Sequence, residues 1–149
     1  MAIRHIRGLF AVVAMTLATM AFPSQARAQD AAGTVWSQLE AVYGWADGEG
    51  YSTRNYLIGK LDKDETDTWT MTLYGGNDYI IIGACDGDCG DLDIAVLDEY
   101  DNHVAGDTET DDVPVVELNL EEQGRYQIKV TMYDCSVEPC YFGLGIFYK

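Results

Sequence analysis

The sequence predicts an all-β protein, an antiparallel β-sandwich or jelly roll with one short N-terminal helix, and three observations carry that expectation. Two stretches, Asp67-Thr68-Trp69-Thr70-Met71-Thr72-Leu73 and Tyr126-Gln127-Ile128-Lys129-Val130-Thr131-Met132, alternate polar and apolar residues without a fault. A period of two puts one face of a strand in a core and the other in water, the pattern of antiparallel sheets. Short apolar runs lie between them at residues 79–84 and 94–97, and further strands at residues 113–120 and 141–148 complete the set. Finally, the separators are turn chemistry: Gly75-Gly76-Asn77-Asp78, residues 98–102, residues 121–124 and residues 136–139. Many short strands at this spacing with little helix make a sandwich.

The chain opens on an export signal at residues 1–28. Arg4, His5 and Arg7 form a basic start, an apolar run follows from Leu9 to Phe22, and Ala26-Arg27-Ala28 supplies small residues at the two positions a signal peptidase reads. The apolar run is about 14 residues, short of the roughly 20 a membrane span needs. Cleavage after Ala28 is therefore expected, and the mature protein is expected outside the cytoplasm, periplasmic or secreted, without a membrane span.

Residues 29–52 read as a helical extension and a loop. Val35, Trp36, Leu39, Val42 and Tyr43 recur at helical spacing, with Thr34 placed to cap the start and Gly44 to supply a left-handed stop. Ala46-Asp47-Gly48-Glu49-Gly50 has nothing to bury and reads as loop. Residues 53–149 form the strand domain, about seven strands in all. The continuously apolar runs at 79–84 and 94–97 are expected to be central strands.

Charge is the strongest compositional signal. The chain has 25 acidic and 9 basic residues, a formal net charge of −16. All the acidic residues follow the signal, whereas Arg4, Arg7 and Arg27 leave with it, so the processed chain is more acidic still. Such a field repels nucleic acid and anionic lipid and attracts cations and basic proteins.

Taken in order, Leu57-Ile58-Gly59-Lys60-Leu61, Asp67-Thr68-Trp69, Gly75-Gly76, Asp91-Leu92-Asp93-Ile94, Asp101-Asn102-His103-Val104-Ala105 and Gly124-Arg125-Tyr126-Gln127-Ile128-Lys129-Val130 resemble the bacterial pre-peptidase C-terminal domain over roughly residues 54–148. The resemblance implies a small β-sandwich without catalytic residues of its own, which in some members binds calcium or an extracellular protein. This chain departs from the general pattern in carrying two cysteine pairs.

Four cysteines in an exported chain point to two disulfides with three connectivities. Cys85 and Cys89 flank a Gly-Asp turn, and Cys135 and Cys140 flank the turn of the last hairpin. Two local bridges are the expectation, against the crossed forms. A four-cysteine zinc site is the rival use of these spacings, but thiols in an oxidising compartment pair.

The stretch Cys85-Asp86-Gly87-Asp88-Cys89-Gly90-Asp91-Leu92-Asp93 concentrates the chemistry. Asp86, Asp88, Asp91 and Asp93, pinned by the first cysteine pair, are the candidate ligands for a structural Ca2+, which takes six to eight oxygens. The loop is no EF-hand, because the twelfth position from Asp86 is Leu97. The competing reading makes these aspartates turn caps and guards of sheet edges.

No catalytic constellation stands out. Beyond the signal there is one histidine, His103, and three serines, Ser37, Ser52 and Ser136, none in a nucleophile-elbow setting. The functional expectation is a non-catalytic exported module that binds or stabilises an extracytoplasmic protein. The alternative is a carbohydrate-binding module, with Trp45, Tyr51, Tyr74, Tyr100 and Tyr133 as the candidate glycan platform. A carboxylate-based hydrolase is the third reading.

Overall fold

A computed structural model describes residues 23–149. The predicted signal lies outside the described residues up to Phe22, and its last residues form the beginning of a helix.

The helix, α1 (Pro23–Gly48), is followed by eight strands: β1 (Ser52–Leu61), β2 (Thr66–Leu73), β3 (Asn77–Cys85), β4 (Cys89–Leu97), β5 (His103–Asp107), β6 (Val115–Leu120), β7 (Gly124–Cys135) and β8 (Cys140–Tyr148). They make two four-stranded sheets, in the orders β1-β8-β3-β6 and β2-β7-β4-β5, and every pairing is antiparallel. The β-sandwich is thus as the alternation predicts.

The two kinds of hydrophobic pattern have separate causes. In the second sheet, β4 and β7 alternate because one face meets the first sheet and the other meets water. Leu92, Ile94, Val96, Ile128, Val130 and Met132 are all buried in the space between the sheets. In the first sheet, β3 and β8 are apolar at successive positions because both faces are covered. Ile81, Leu144 and Ile146 point into the sandwich, while Ile80, Ile82, Ala84 and Phe147 point outward and lie beneath α1. A strand buried on both faces loses its polar alternation.

The helix is longer than its periodicity predicts. Val35, Leu39 and Ala46 are buried on the first sheet with Val42 half-buried between them, so the sheet-facing stripe continues past Gly44. Thr34 sits inside the helix and its hydroxyl donates to the Asp30 carbonyl at 3.0 Å. The stop comes at Gly50, whose φ is +81°. There the Tyr51 amide donates to the Ala46 carbonyl and the Gly50 amide to the Asp47 carbonyl, a Schellman closure. Tyr51 stacks on Trp45 with ring centroids 6.0 Å apart, which supplies the apolar contact that accompanies this cap.

Close seating of α1 depends on Gly143. A Cβ there would stand 2.8 Å from both Leu39 Cδ1 and Val35 Cγ1, so any larger residue forces these helix side chains to shift. The helix rests over β8 and its two neighbours β1 and β3 and leaves the outward face of β6 open.

Candidate functional site

The two cysteine pairs close the turns they flank, Cys85 with Cys89 between β3 and β4, and Cys135 with Cys140 between β7 and β8. Cys89 and Cys135 are register partners in the β4–β7 ladder, so both bridges sit at the same end of the sandwich.

Asp86 joins the two turns. It is only 3% exposed. One carboxylate oxygen accepts the Asp88 amide at 3.1 Å and the other accepts the Tyr141 amide at 2.9 Å. Both oxygens of a buried acid are therefore engaged by the backbone, as burial of a charge demands. Asp88 adds to the same network: its carbonyl accepts the Ser136 amide at 2.8 Å and hydroxyl at 2.9 Å, and its carboxylate pairs with Arg27 at 2.8 Å.

Asp91 and Asp93 stand elsewhere, on the outward face of β4. Burial is the main cause that raises both carboxyls above the usual range; Asp111 and Asp134 add to it at Asp91, and Asp91, Asp107 and Asp111 at Asp93. Asp91 Oδ1 is buried without a hydrogen-bond partner. The four predicted calcium ligands thus divide two and two. Among the described residues no three His, Cys, Asp or Glu side chains converge as a metal-ligand set.

The raised carboxyls have a consequence for stability. A carboxyl that binds its proton more tightly folded than unfolded costs stability above its folded pKa, and the cost fades as pH falls through that value. Asp91→Asn is accordingly expected to raise the melting midpoint at pH 7, with the gain vanishing below about pH 4, where the unfolded carboxyl is also protonated. A gain of equal size at both pH values would place its cause in packing rather than charge.

The residues weighed for catalysis are dispersed. His103 is exposed at the start of the edge strand β5, rather than in a turn, because its neighbours extend the β4 ladder. Ser37 lies on α1, Ser52 begins β1, and Ser136 belongs to the disulfide-closed turn.

The aromatic residues weighed as a glycan platform are also spread out. Trp45 and Tyr51 stack together. Tyr74 lies under the Arg54 guanidinium at 5.2 Å, Tyr100 occupies the β4–β5 turn, and Tyr133 stands on β7.

A feature that sequence reasoning missed lies between α1 and β6. There a groove of about 590 Å³ has Ile80 and Ile82 as its floor, Val42 and Trp45 as one wall and Val113 and Val115 as the other. Trp45, Val113 and Val115 are each 41–46% exposed. Tyr51 and Lys149 close one end, with the Lys149 ammonium 4.1 Å above the Tyr51 ring. Glu49 and Glu117 also line it. The available signal was the alternation Val113-Pro114-Val115-Val116-Glu117, which puts Val113 and Val115 on the face opposite the core residue Val116.

No protein-family model and no curated protein matches the chain. Solved structures do. The pre-peptidase C-terminal domain of a collagenase from Bacillus anthracis superposes with a TM-score of 0.50 at 19% identity, over 62% of this chain and 87% of that one. A periplasmic inhibitor of g-type lysozyme from Aeromonas hydrophila superposes with a TM-score of 0.50 at 13% identity, over 68% of this chain and 90% of that one. The fold is therefore that of a pre-peptidase C-terminal-like sandwich, shared with a periplasmic protein.

Proposed function

We propose that this chain is a non-catalytic module that acts outside the cytoplasm and binds a basic protein through its carboxylate-rich surface. The observation that carries the proposal is the unneutralised acid: a net charge of −16, with Asp91 and Asp93 on β4 facing Asp107 at the end of β5 and Asp111 in the loop after it, none of them in an ion pair among the described residues. Among the described residues only two ion pairs form, Arg27–Asp88 and Lys63–Asp134, and both are exposed. Mutual repulsion of this kind costs stability and is relieved by a basic partner. The structurally similar periplasmic inhibitor of g-type lysozyme supports the reading, since it is an exported protein that acts on another protein.

The test is retention of exported proteins from the source organism on the immobilised chain at about 50 mM and about 200 mM salt, because screening separates charge-driven capture from adhesion. Basic proteins are expected to bind at the lower salt, to be released at the higher, and to be lost with Asp91→Asn/Asp93→Asn. Retention indifferent to salt and to that variant overturns the proposal, as does retention of polysaccharide alone.

Calcium carries no step of this function. With both Asp86 oxygens engaged by backbone amides, and Arg27 removed with the signal, Asp88, Asp91 and Asp93 are the predicted ligands left to face a cation, against the six to eight oxygens calcium takes. Replacing EDTA by millimolar calcium is expected to move the melting midpoint by no more than about 2 °C, as a site of roughly millimolar affinity would. A rise of many degrees, lost in Asp91→Asn/Asp93→Asn, would restore a structural calcium site.

A further inference from the structure

We infer that the groove between α1 and β6 receives an extended segment of the partner in which an apolar side chain stands next to a lysine or arginine. The inference rests on the protein-binding proposal above and adds to the acidic outward face of the second sheet a separate contact on the outward face of the first.

Three features of the groove select that chemistry. Its floor and both walls are apolar, so desolvating them favours an apolar anchor. Its volume of about 590 Å³ leaves room for one or two side chains. The charges on its lining are unbalanced: Lys149 is directed onto the Tyr51 ring, and neither Glu49 nor Glu117 takes part in an ion pair among the described residues. An apolar anchor alone would leave those carboxylates beside a newly dried surface, whereas an adjacent cation satisfies them.

Charge also decides against a second copy of this chain as the occupant. Each copy brings the same net charge of −16, so self-association sets like fields against each other, while a basic partner lowers the repulsion. Trp45, 46% exposed on the groove wall, suits the same occupant, because a guanidinium or ammonium gains from stacking on an indole face.

Calorimetric titration of the purified protein with three capped hexapeptides tests the inference: Gly-Val-Phe-Lys-Arg-Gly, the same peptide with both basic residues replaced by Glu, and the same peptide with Val and Phe replaced by Ser. The first is expected to bind and the other two to bind at least about tenfold more weakly. Glu49→Gln/Glu117→Gln is expected to weaken the first peptide about tenfold, the scale two surface ion pairs reach. Val115→Asp and Trp45→Ala, on opposite walls, are expected to abolish its binding, with melting midpoints confirming that the variants remain folded.

Equal binding of all three peptides, or of none, overturns the groove assignment. If basic proteins are still retained on the immobilised chain, the module proposal survives that result; if they are not, both fall. Preference for the Glu-containing peptide overturns the charge argument. A dimer in sedimentation that dissociates in Val115→Asp overturns the assignment in favour of a second copy.

Discussion

Replacing Phe142 with alanine is expected to lower the free energy of unfolding by about 3–5 kcal/mol. Phe142 is on β8 in the first sheet and is 0% exposed. Its ring lies 5.6 Å from that of Trp69, which belongs to β2 in the second sheet, so the pair spans the gap between the sheets. It also fills the space above Gly59, where an added Cβ would stand 2.7 Å from Phe142 Cζ. Truncation therefore removes an inter-sheet aromatic contact and leaves a cavity that neither a glycine nor a hydrogen-bonded ladder can collapse to fill. For a domain of this size the loss corresponds to a fall in melting midpoint of roughly 10–20 °C. Urea unfolding of the variant measures it directly. Tyr100→Ala, at a ring 75% exposed, is the matched control and is expected to change stability by no more than about 0.5 kcal/mol. A Phe142→Ala loss below about 1 kcal/mol would show that the sheets slide together over the vacancy.

Phe142 also marks the boundary between what local sequence encodes and what only the fold creates. Its burial was legible, because residues 141–148 form an apolar run, and so were the alternating strands β2 and β7. The same local rules put the helix stop at Gly44, although Gly50 can adopt a left-handed conformation equally well. Ala46 decides it: packing against Ile80, Ile82 and Phe147 makes one more turn of helix favourable, and those partners are 34 or more positions away. Asp86 follows the same logic. Its aspartate-in-a-turn setting is visible in sequence, but the Tyr141 amide that engages its second oxygen is 55 positions distant. Read locally, Asp86 and Asp88 look like Asp91 and Asp93, and all four look available to a cation. Only pairing β4 with β7 and closing the last hairpin separates the engaged pair from the pair that faces solvent. The groove was the least legible feature, because its walls come from α1 and β6 and its existence depends on how far across the first sheet the helix lies.

Removing both disulfides is the other change expected to be large, about 4 kcal/mol for the combined Cys85→Ala/Cys89→Ala and Cys135→Ala/Cys140→Ala variant. The figure comes from loop entropy. The cysteines are 4 and 5 positions apart, and closing loops this short contributes roughly 2 kcal/mol each. The two contributions are expected to be coupled. The turns hold each other through the Asp86 carboxylate on the Tyr141 amide and the Ser136 amide and hydroxyl on the Asp88 carbonyl. With one bridge opened, the other turn still anchors those bonds, so each pair of substitutions alone should cost less than its loop-entropy share. With both opened, the buried Asp86 loses its fixed acceptor geometry as well. A double-mutant cycle on urea midpoints is therefore expected to show the combined loss exceeding the sum of the separate losses by about 0.5–1 kcal/mol, within the range of coupled neighbours. Additivity within about 0.3 kcal/mol would mean that the turns act independently and that Asp86 does not connect them. Peptide binding at the α1–β6 groove should be retained while the variant remains folded. Arg27 at the start of α1 reaches the disulfide end, whereas Trp45 and Lys149 mark the groove at the far ends of α1 and β8.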